Sequence, residues 1–274
     1  MSKSKSKSMS VIDVHHHLVC EKGYINSLLR EMDKCGIEKT GLIAMGLLFE
    51  ALFVTGKSCG PLYEADVLSA IQAHPDRFFG YVYVRPGFDG PEKVRKWADQ
   101  GFKGVKLHIP EENYGHYDYF PIYEAARDLD MVCLFHTGLF YLPSMKGERV
   151  SAERTRPIYV EAIVNELADL KVILAHLGGV WAEEACGLAR IYPNVHADLS
   201  GRLDGWRKAK PIEWFNEMLF WPEAADKILF GSDVHASELA ATVEHQVGII
   251  RQMGWDAEKE RKFLYENAKR LFNL

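Results

Sequence analysis

Residues 11–18 read Val-Ile-Asp-Val-His-His-His-Leu, and the fold turns on how this stretch is interpreted. Valine and isoleucine favour a strand, and the polar residues gather towards its C-terminal end. Side chains alternate along a strand, so Asp13, His15 and His17 are expected on one face, with Val14 and His16 on the other. Two histidines at i and i+2 can grip one ion from a strand end, and imidazole is the commonest metal ligand. A chance cluster or a hydrogen-bonded polar strand end is the plainer reading. Three adjacent histidines also suggest a tag remnant, but a tag would not sit inside an apolar strand.

From here to the C-terminus, β-rich runs alternate with amphipathic stretches. Eight strands are expected: Val11–Leu18, Thr40–Gly46, Phe78–Val84, Gly104–His108, Val132–Thr137, Val172–Leu177, Val195–Leu199 and Ile228–Ser232. Helices are expected at Ile25–Cys35, Leu62–Ala73, Glu92–Gln100, Ile122–Leu129, Pro157–Leu170, Ala182–Tyr192 and Ile212–Leu219, with a last helical region from Glu238 broken near Gly254. Alternating βα units imply a parallel sheet, and eight of them favour an α/β fold of the (β/α)8 TIM-barrel type, one domain over residues 11–274. An open doubly wound sheet is the rival, but no glycine-rich nucleotide fingerprint follows the first strand. The longest irregular segments, Leu47–Pro61, Ile109–Tyr119 and Gly138–Arg156, follow strands two, four and five. They therefore project from the barrel's C-terminal face, where barrel enzymes build their pockets.

Other polar residues close apolar strands in the same way: His136 the fifth, His176 the sixth and Asp233 the eighth. Each alone reads as a hydrogen-bonded core histidine or a turn aspartate, but four strands ending so converge on one mouth. In Gly104-Val105-Lys106-Leu107-His108, period two sends Val105 and Leu107 to the helices and Lys106 into the barrel, with His108 on its side. A buried lysine needs a partner. The options are a charged amine reaching substrate and a salt bridge to an internal acid such as Asp13. Arg85, Arg202, Arg154 and Arg156 at strand ends or loops could take a substrate carboxylate, or be surface ion pairs. Tyr114, Tyr119, Phe140, Tyr141, Trp181 and Trp206 could wall a pocket for a flat ring, or pack the loops.

Asp-x-His-x-His, Gly-Val-Lys-Leu-His, the strand-end His136, Ala-His-Leu-Gly-Gly, Phe-Gly-Ser-Asp and the closing Glu-Asn-Ala-Lys-Arg-Leu-Phe, in that order, resemble the amidohydrolase superfamily. The nearest branch is the amidohydrolase-related group, with aminocarboxymuconate-semialdehyde-type decarboxylases and pyrone-dicarboxylate lactonases. The resemblance spans residues 11–274. It implies His15, His17, His136 and Asp233 as metal ligands, with His176 either completing the set or acting as an acid/base. It implies one divalent ion, Zn²⁺ first and Mn²⁺, Fe²⁺ or Co²⁺ as alternatives, a second ion on carbamylated Lys106 being the lesser option. Asp233 and His176 are then the catalytic candidates, and Lys106, His108, Arg85 and Arg202 the substrate-binding ones.

The leading expectation is a metal-dependent hydrolase of a lactone, amide or related acyl bond in a small anionic molecule. A non-oxidative decarboxylase using the same site is the alternative, and a catalytically silent barrel the third. With 33 basic against 38 acidic residues, a net charge of -5 offers no basic face for nucleic acid. No apolar run reaches membrane-span length. Five widely spaced cysteines without a CxxC pair suggest neither a disulfide framework nor a cysteine zinc site, hence a reduced, cytoplasmic setting. Residues 1–10, rich in Ser and Lys, are expected to be a disordered tail rather than a secretory signal. The expected partner is a small-molecule substrate, and a homodimer is compatible with the apolar residues of the C-terminal region.

Overall fold

Eight parallel strands pair in chain order, β1 (Val11–His17), β2 (Ile37–Ile43), β3 (Phe78–Val84), β4 (Gly104–Leu107), β5 (Val132–Phe135), β6 (Val172–Leu174), β7 (Val195–Asp198) and β8 (Ile228–Leu229). The computed structural model describes residues 10–46, 60–140 and 150–274. The seam between β8 and β1 is drawn together by backbone bonds from Val14 N–H to Phe230 O (3.1 Å) and from Asp233 N–H to His15 O (2.7 Å). Helices α1 (Tyr24–Cys35), α2 (Glu64–Ala73), α3 (Pro91–Ala98), α4 (Phe120–Asp128), α5 (Glu161–Glu166), α6 (Ala182–Ile191) and α7 (Ile212–Met218) lie between the strands. Three more, α8 (Leu239–Gln252), α9 (Ala257–Arg261) and α10 (Asn267–Phe272), end the chain. The sequence reading of a single-domain (β/α)8 barrel holds, and no helix among the described residues is long and apolar enough to cross a membrane.

Boundaries move where backbone chemistry intervenes. Gly36, at φ 77°, closes α1 with its N–H on Met32 O, so β2 begins at once, ahead of the expected Thr40. The later strands stop short of their polar ends. After Leu174 the chain turns through left-handed His176 and Leu177, which cannot continue a ladder. The stretch 157–170 becomes a 3-10 turn followed by α5, and Gly254 breaks the last region as expected.

The first strand departs from simple alternation. Between Asp13 and His16 it advances three residues while its partner β2 advances two, from Thr40 to Leu42. This bulge resets the phase. Ile12 and Val14 both pack in the barrel interior, whereas Asp13 is carried to His16 and Ser232. Asp13 is therefore not on the face of His15 and His17, and it is not the partner of Lys106.

The opposite end of the barrel is an apolar floor. Phe79 and Tyr81 meet Phe272 of α10 at centroid distances of 4.7 and 5.9 Å. Gly104 and Gly41 make room for the Tyr81 ring: a Cβ on them would stand 2.3 and 2.6 Å from it. The Tyr81 hydroxyl reaches Val14 O at 2.8 Å, fastening the floor to the bulged strand. Cys20 is disulfide-bonded while Cys35, Cys133 and Cys186 are free, which corrects the reading of a chain without disulfides. Pairing depends on distance in the fold, which spacing along the sequence does not report.

Candidate active site

The polar strand ends converge at the C-terminal mouth. His15 Nδ1 lies 2.9 Å from Asp198 Oδ2, and its Nε2 lies 3.0 Å from Lys106 Nζ and 4.0 Å from Asp233 Oδ1. His17 Nε2 is 3.5 Å from the same Asp233 oxygen. His176 Nδ1 is 3.9 Å from Asp233 Oδ2, and its Nε2 faces His136 Nδ1 at 3.3 Å. His136 stacks on His108 at 3.7 Å between centroids, and Phe140 stands against both rings. His16 is turned away as alternation requires, bonded to Ser232 Oγ (3.0 Å) and Tyr24 OH (2.9 Å).

The backbone is strained where these groups are presented. Ile109, His176, Leu177 and Asp233 all have φ between 47° and 60°, a region costly for side-chain-bearing residues. Such residues persist only where surrounding contacts hold them, and here they occupy the ends of β4, β6 and β8. The Asp233 N–H on His15 O and the His176 N–H on Asp198 Oδ1 (2.8 Å) are two of those contacts.

Burial governs the charge states. It pushes the imidazoles of His17, His136 and His108 well below the ordinary range, and His176 to about 4 against the pull of Asp233. Neutral imidazoles keep the lone pairs that a metal needs. Burial likewise lowers the Lys106 amine to about 8, opposed by Asp233 and Asp198. Desolvation acts to raise Asp198, but the charge and hydrogen bond of His15, with His176 and Ser200, hold it well below the usual carboxylate range.

Two groups of donors have metal-compatible spacing: His15, His17 and Asp233, and His15, His176 and Asp198, each with ligand atoms within 4.8 Å of one another. The second is threaded by the Ser200 hydroxyl, 3.0 Å from His15 Nδ1, 2.9 Å from His176 Nδ1 and 2.5 Å from Asp198 Oδ1. That hydroxyl fills the space an ion would need. In the first, two imidazoles and a carboxylate converge with no hydroxyl between them, a donor set that fits a divalent ion once the Lys106 amine yields the His15 Nε2 lone pair. His136 lies outside the spacing of both groups, although its buried Nε2 has no hydrogen-bond partner among the described residues.

Arg85 donates to Ile109 O (3.2 Å) and lies 3.7 Å over the Phe88 ring. Arg202 pairs with Asp204 at 73% exposure, and Arg156 is bound to Glu184. Tyr114 is a buried tether from its hydroxyl to His136 O (2.9 Å), and Trp206 donates to Ser200 O (3.1 Å). Tyr141 and much of two long loops lie outside the described residues. Sequence reasoning passed over Asp198 and Ser200. The signal was present: Val195 and Ala197 face the helices, so period two places Asp198 inside the barrel, by the same logic that flags Lys106.

Barrel and mouth together define a metal-binding (β/α)8 enzyme. The chain belongs to the amidohydrolase family, whose model matches residues 12–274. No curated protein sequence matches it. Among solved structures it is similar to an uncharacterised TIM-barrel protein from Bordetella bronchiseptica, at TM-score 0.72 and 18% identity, covering 97% of this chain and 99% of that one. It is similar to 2,6-dihydroxybenzoate decarboxylase from Rhizobium (TM-score 0.65, 17% identity, 97% and 99% covered). A third likeness is to 5-carboxyvanillate decarboxylase from Novosphingobium aromaticivorans, complexed with manganese and 4-hydroxy-3-methoxy-5-nitrobenzoic acid (TM-score 0.64, 17% identity, 98% and 97% covered). At these identities the likeness is one of fold.

Proposed function

We propose that the chain is a metal-dependent non-oxidative decarboxylase of a small, planar carboxylic acid. The observation that carries this reading is Lys106. It is a buried cation inside the barrel, Nζ 3.0 Å from His15 Nε2, with no carboxylate in salt-bridge reach among the described residues. Asp233 and Asp198 offset only part of the cost of burying this ammonium, and a substrate carboxylate is the natural complement. His108, His136 and Phe140 form the adjoining aromatic wall, suited to a flat ring.

His15, His17 and Asp233 would hold one divalent ion. Manganese, present in the similar 5-carboxyvanillate decarboxylase, and zinc are the candidates. When bound, such an ion supplies Lewis acidity beside the substrate. Lys106 orients the carboxylate. We assign the proton to His176, a role supported by its being held by Ser200 and His136 rather than grouped with the trio. In the net reaction the bond from ring carbon to carboxylate breaks, its electron pair stays on carbon, a proton takes its place, and CO₂ leaves. The metal-dependent hydrolase remains the second reading, since Asp233 at the same trio could equally act as base for water.

Manganese- or zinc-loaded protein should be incubated in D₂O with hydroxylated benzoates, pyrone carboxylates and lactones. Decarboxylation releases CO₂ and leaves deuterium on the carbon that lost it. Ring-opened acid without CO₂ establishes the hydrolase instead.

A further inference from the structure

We propose that Asp198 and Ser200 are positioning residues that fix the proton tautomers of the mouth, so that His15, His176 and His136 all carry hydrogen on Nδ1 and present a bare Nε2. The Asp198 carboxylate is fully buried and receives His176 N–H (2.8 Å), Ser200 N–H (2.9 Å) and Ser200 Oγ–H (2.5 Å) on Oδ1, with His15 on Oδ2 (2.9 Å). A carboxylate with this many donors stays ionised and accepts only, so His15 Nδ1 must donate. Lys106 demands the same from the other side. An ammonium has no acceptor, and it sits 3.0 Å from His15 Nε2, which must therefore offer its lone pair.

Ser200 passes the constraint on. Its single hydroxyl proton is committed to Asp198, so towards His176 Nδ1 at 2.9 Å its oxygen can only accept. The Ser200 carbonyl, 3.3 Å from the same nitrogen, is also an acceptor. Nδ1 of His176 thus holds the proton and Nε2 is bare. His136 Nδ1, 3.3 Å from that Nε2, must then donate, which leaves the buried His136 Nε2 as the free lone pair. The turn is clamped to keep this geometry: Arg207 holds Leu199 O (2.6 Å) and Gly201 O (2.8 Å), and Trp206 holds Ser200 O. For the reaction, His176 Nε2 becomes the atom that takes up and returns the proton, while Nδ1–H stays on Ser200.

The inference shares its site with the proposed decarboxylase but stands on hydrogen-bond donors alone, so metal-free protein tests it whichever reaction is catalysed. Histidine-¹⁵N-labelled protein, metal-free and held above the ordinary imidazole range, is read by long-range ¹H–¹⁵N correlations that separate protonated from bare ring nitrogens. The expected result is Nδ1–H on His15, His136 and His176. In Ser200→Ala, His176 and His136 should lose that uniform pattern while His15 keeps it, and Ser200→Thr should restore it. Asp198→Asn should leave His15 with Nδ1–H, which the Lys106 ammonium still requires, but shift its ring ¹⁵N resonances and weaken Mn²⁺ binding, read by titration, about 10- to 100-fold. Nε2–H on His176 in the unmutated protein overturns the proposal without need of a variant. So does an unchanged pattern in folded Ser200→Ala.

Discussion

The two ends of this barrel are built on opposite principles. At the floor, Phe79, Tyr81 and Phe272 interlock, and glycines at 41 and 104 are spent to admit one ring. At the mouth, buried imidazoles crowd together, His136 Nε2 lacks a partner among the described residues, and His176 and Asp233 sit in left-handed conformations. The floor satisfies packing, whereas the mouth holds unfavourable local states in place. Such a division is expected where stability is drawn from one region and reactivity from another.

Substitutions at the two ends should have opposite consequences. Phe272→Ala should lower unfolding stability by about 3–5 kcal/mol, the usual cost of emptying an aromatic core site. Chemical denaturation would measure it, and metal binding by the fraction still folded should be unchanged. Asp233→Asn should do the reverse. Asparagine tolerates the left-handed backbone, so stability should hold, while metal affinity and turnover fall by more than the roughly 100-fold upper figure for loss of a ligand's outer partner. A floor variant that abolishes metal binding, or an Asp233 variant that unfolds the chain, would collapse the distinction.

Lys106→Met keeps the stem and removes the charge. It should raise KM for a carboxylate substrate about tenfold or more, the scale of one charge-assisted hydrogen bond, and should not lower thermal stability, because a desolvated cation is relieved. His196 offers a pH test away from the metal trio. Burial, then the charges of Lys227 and Arg270, lower its imidazole to about 3. Because the unfolded value is higher, acid favours the unfolded chain: this contribution is intact above the ordinary imidazole range and is lost as pH falls towards 3. His196→Phe should flatten the acid limb of stability by up to about 1.4 kcal/mol per pH unit. An unaltered slope would show that the site is wet.

Much of this was legible in the sequence, because period-two alternation is set by backbone geometry. It located Lys106 inside the barrel and turned His16 away from the mouth. It failed at Asp13, where one extra residue in β1 reverses the phase, and no residue in Val-Ile-Asp-Val announces a bulge. His136 was legible as a strand-end residue, but its place beside His176 rather than at the trio depends on ring stacking with His108, a tertiary fact. Asp198 was readable by the rule applied to Lys106; Ser200 was not, because it lies past the strand, where alternation no longer holds. Arg202 and Arg156 show how strand-end charge is absorbed locally, by Asp204 and Glu184.

Anomalous scattering from a crystal soaked in Mn²⁺ would locate the ion itself. One ion per chain is expected, between His15 Nε2, His17 Nε2 and Asp233, with an unmodified Lys106 beside it. An ion among His15 Nδ1, His176 and Asp198, or two ions bridged by a carbamylated Lys106, would contradict this placement.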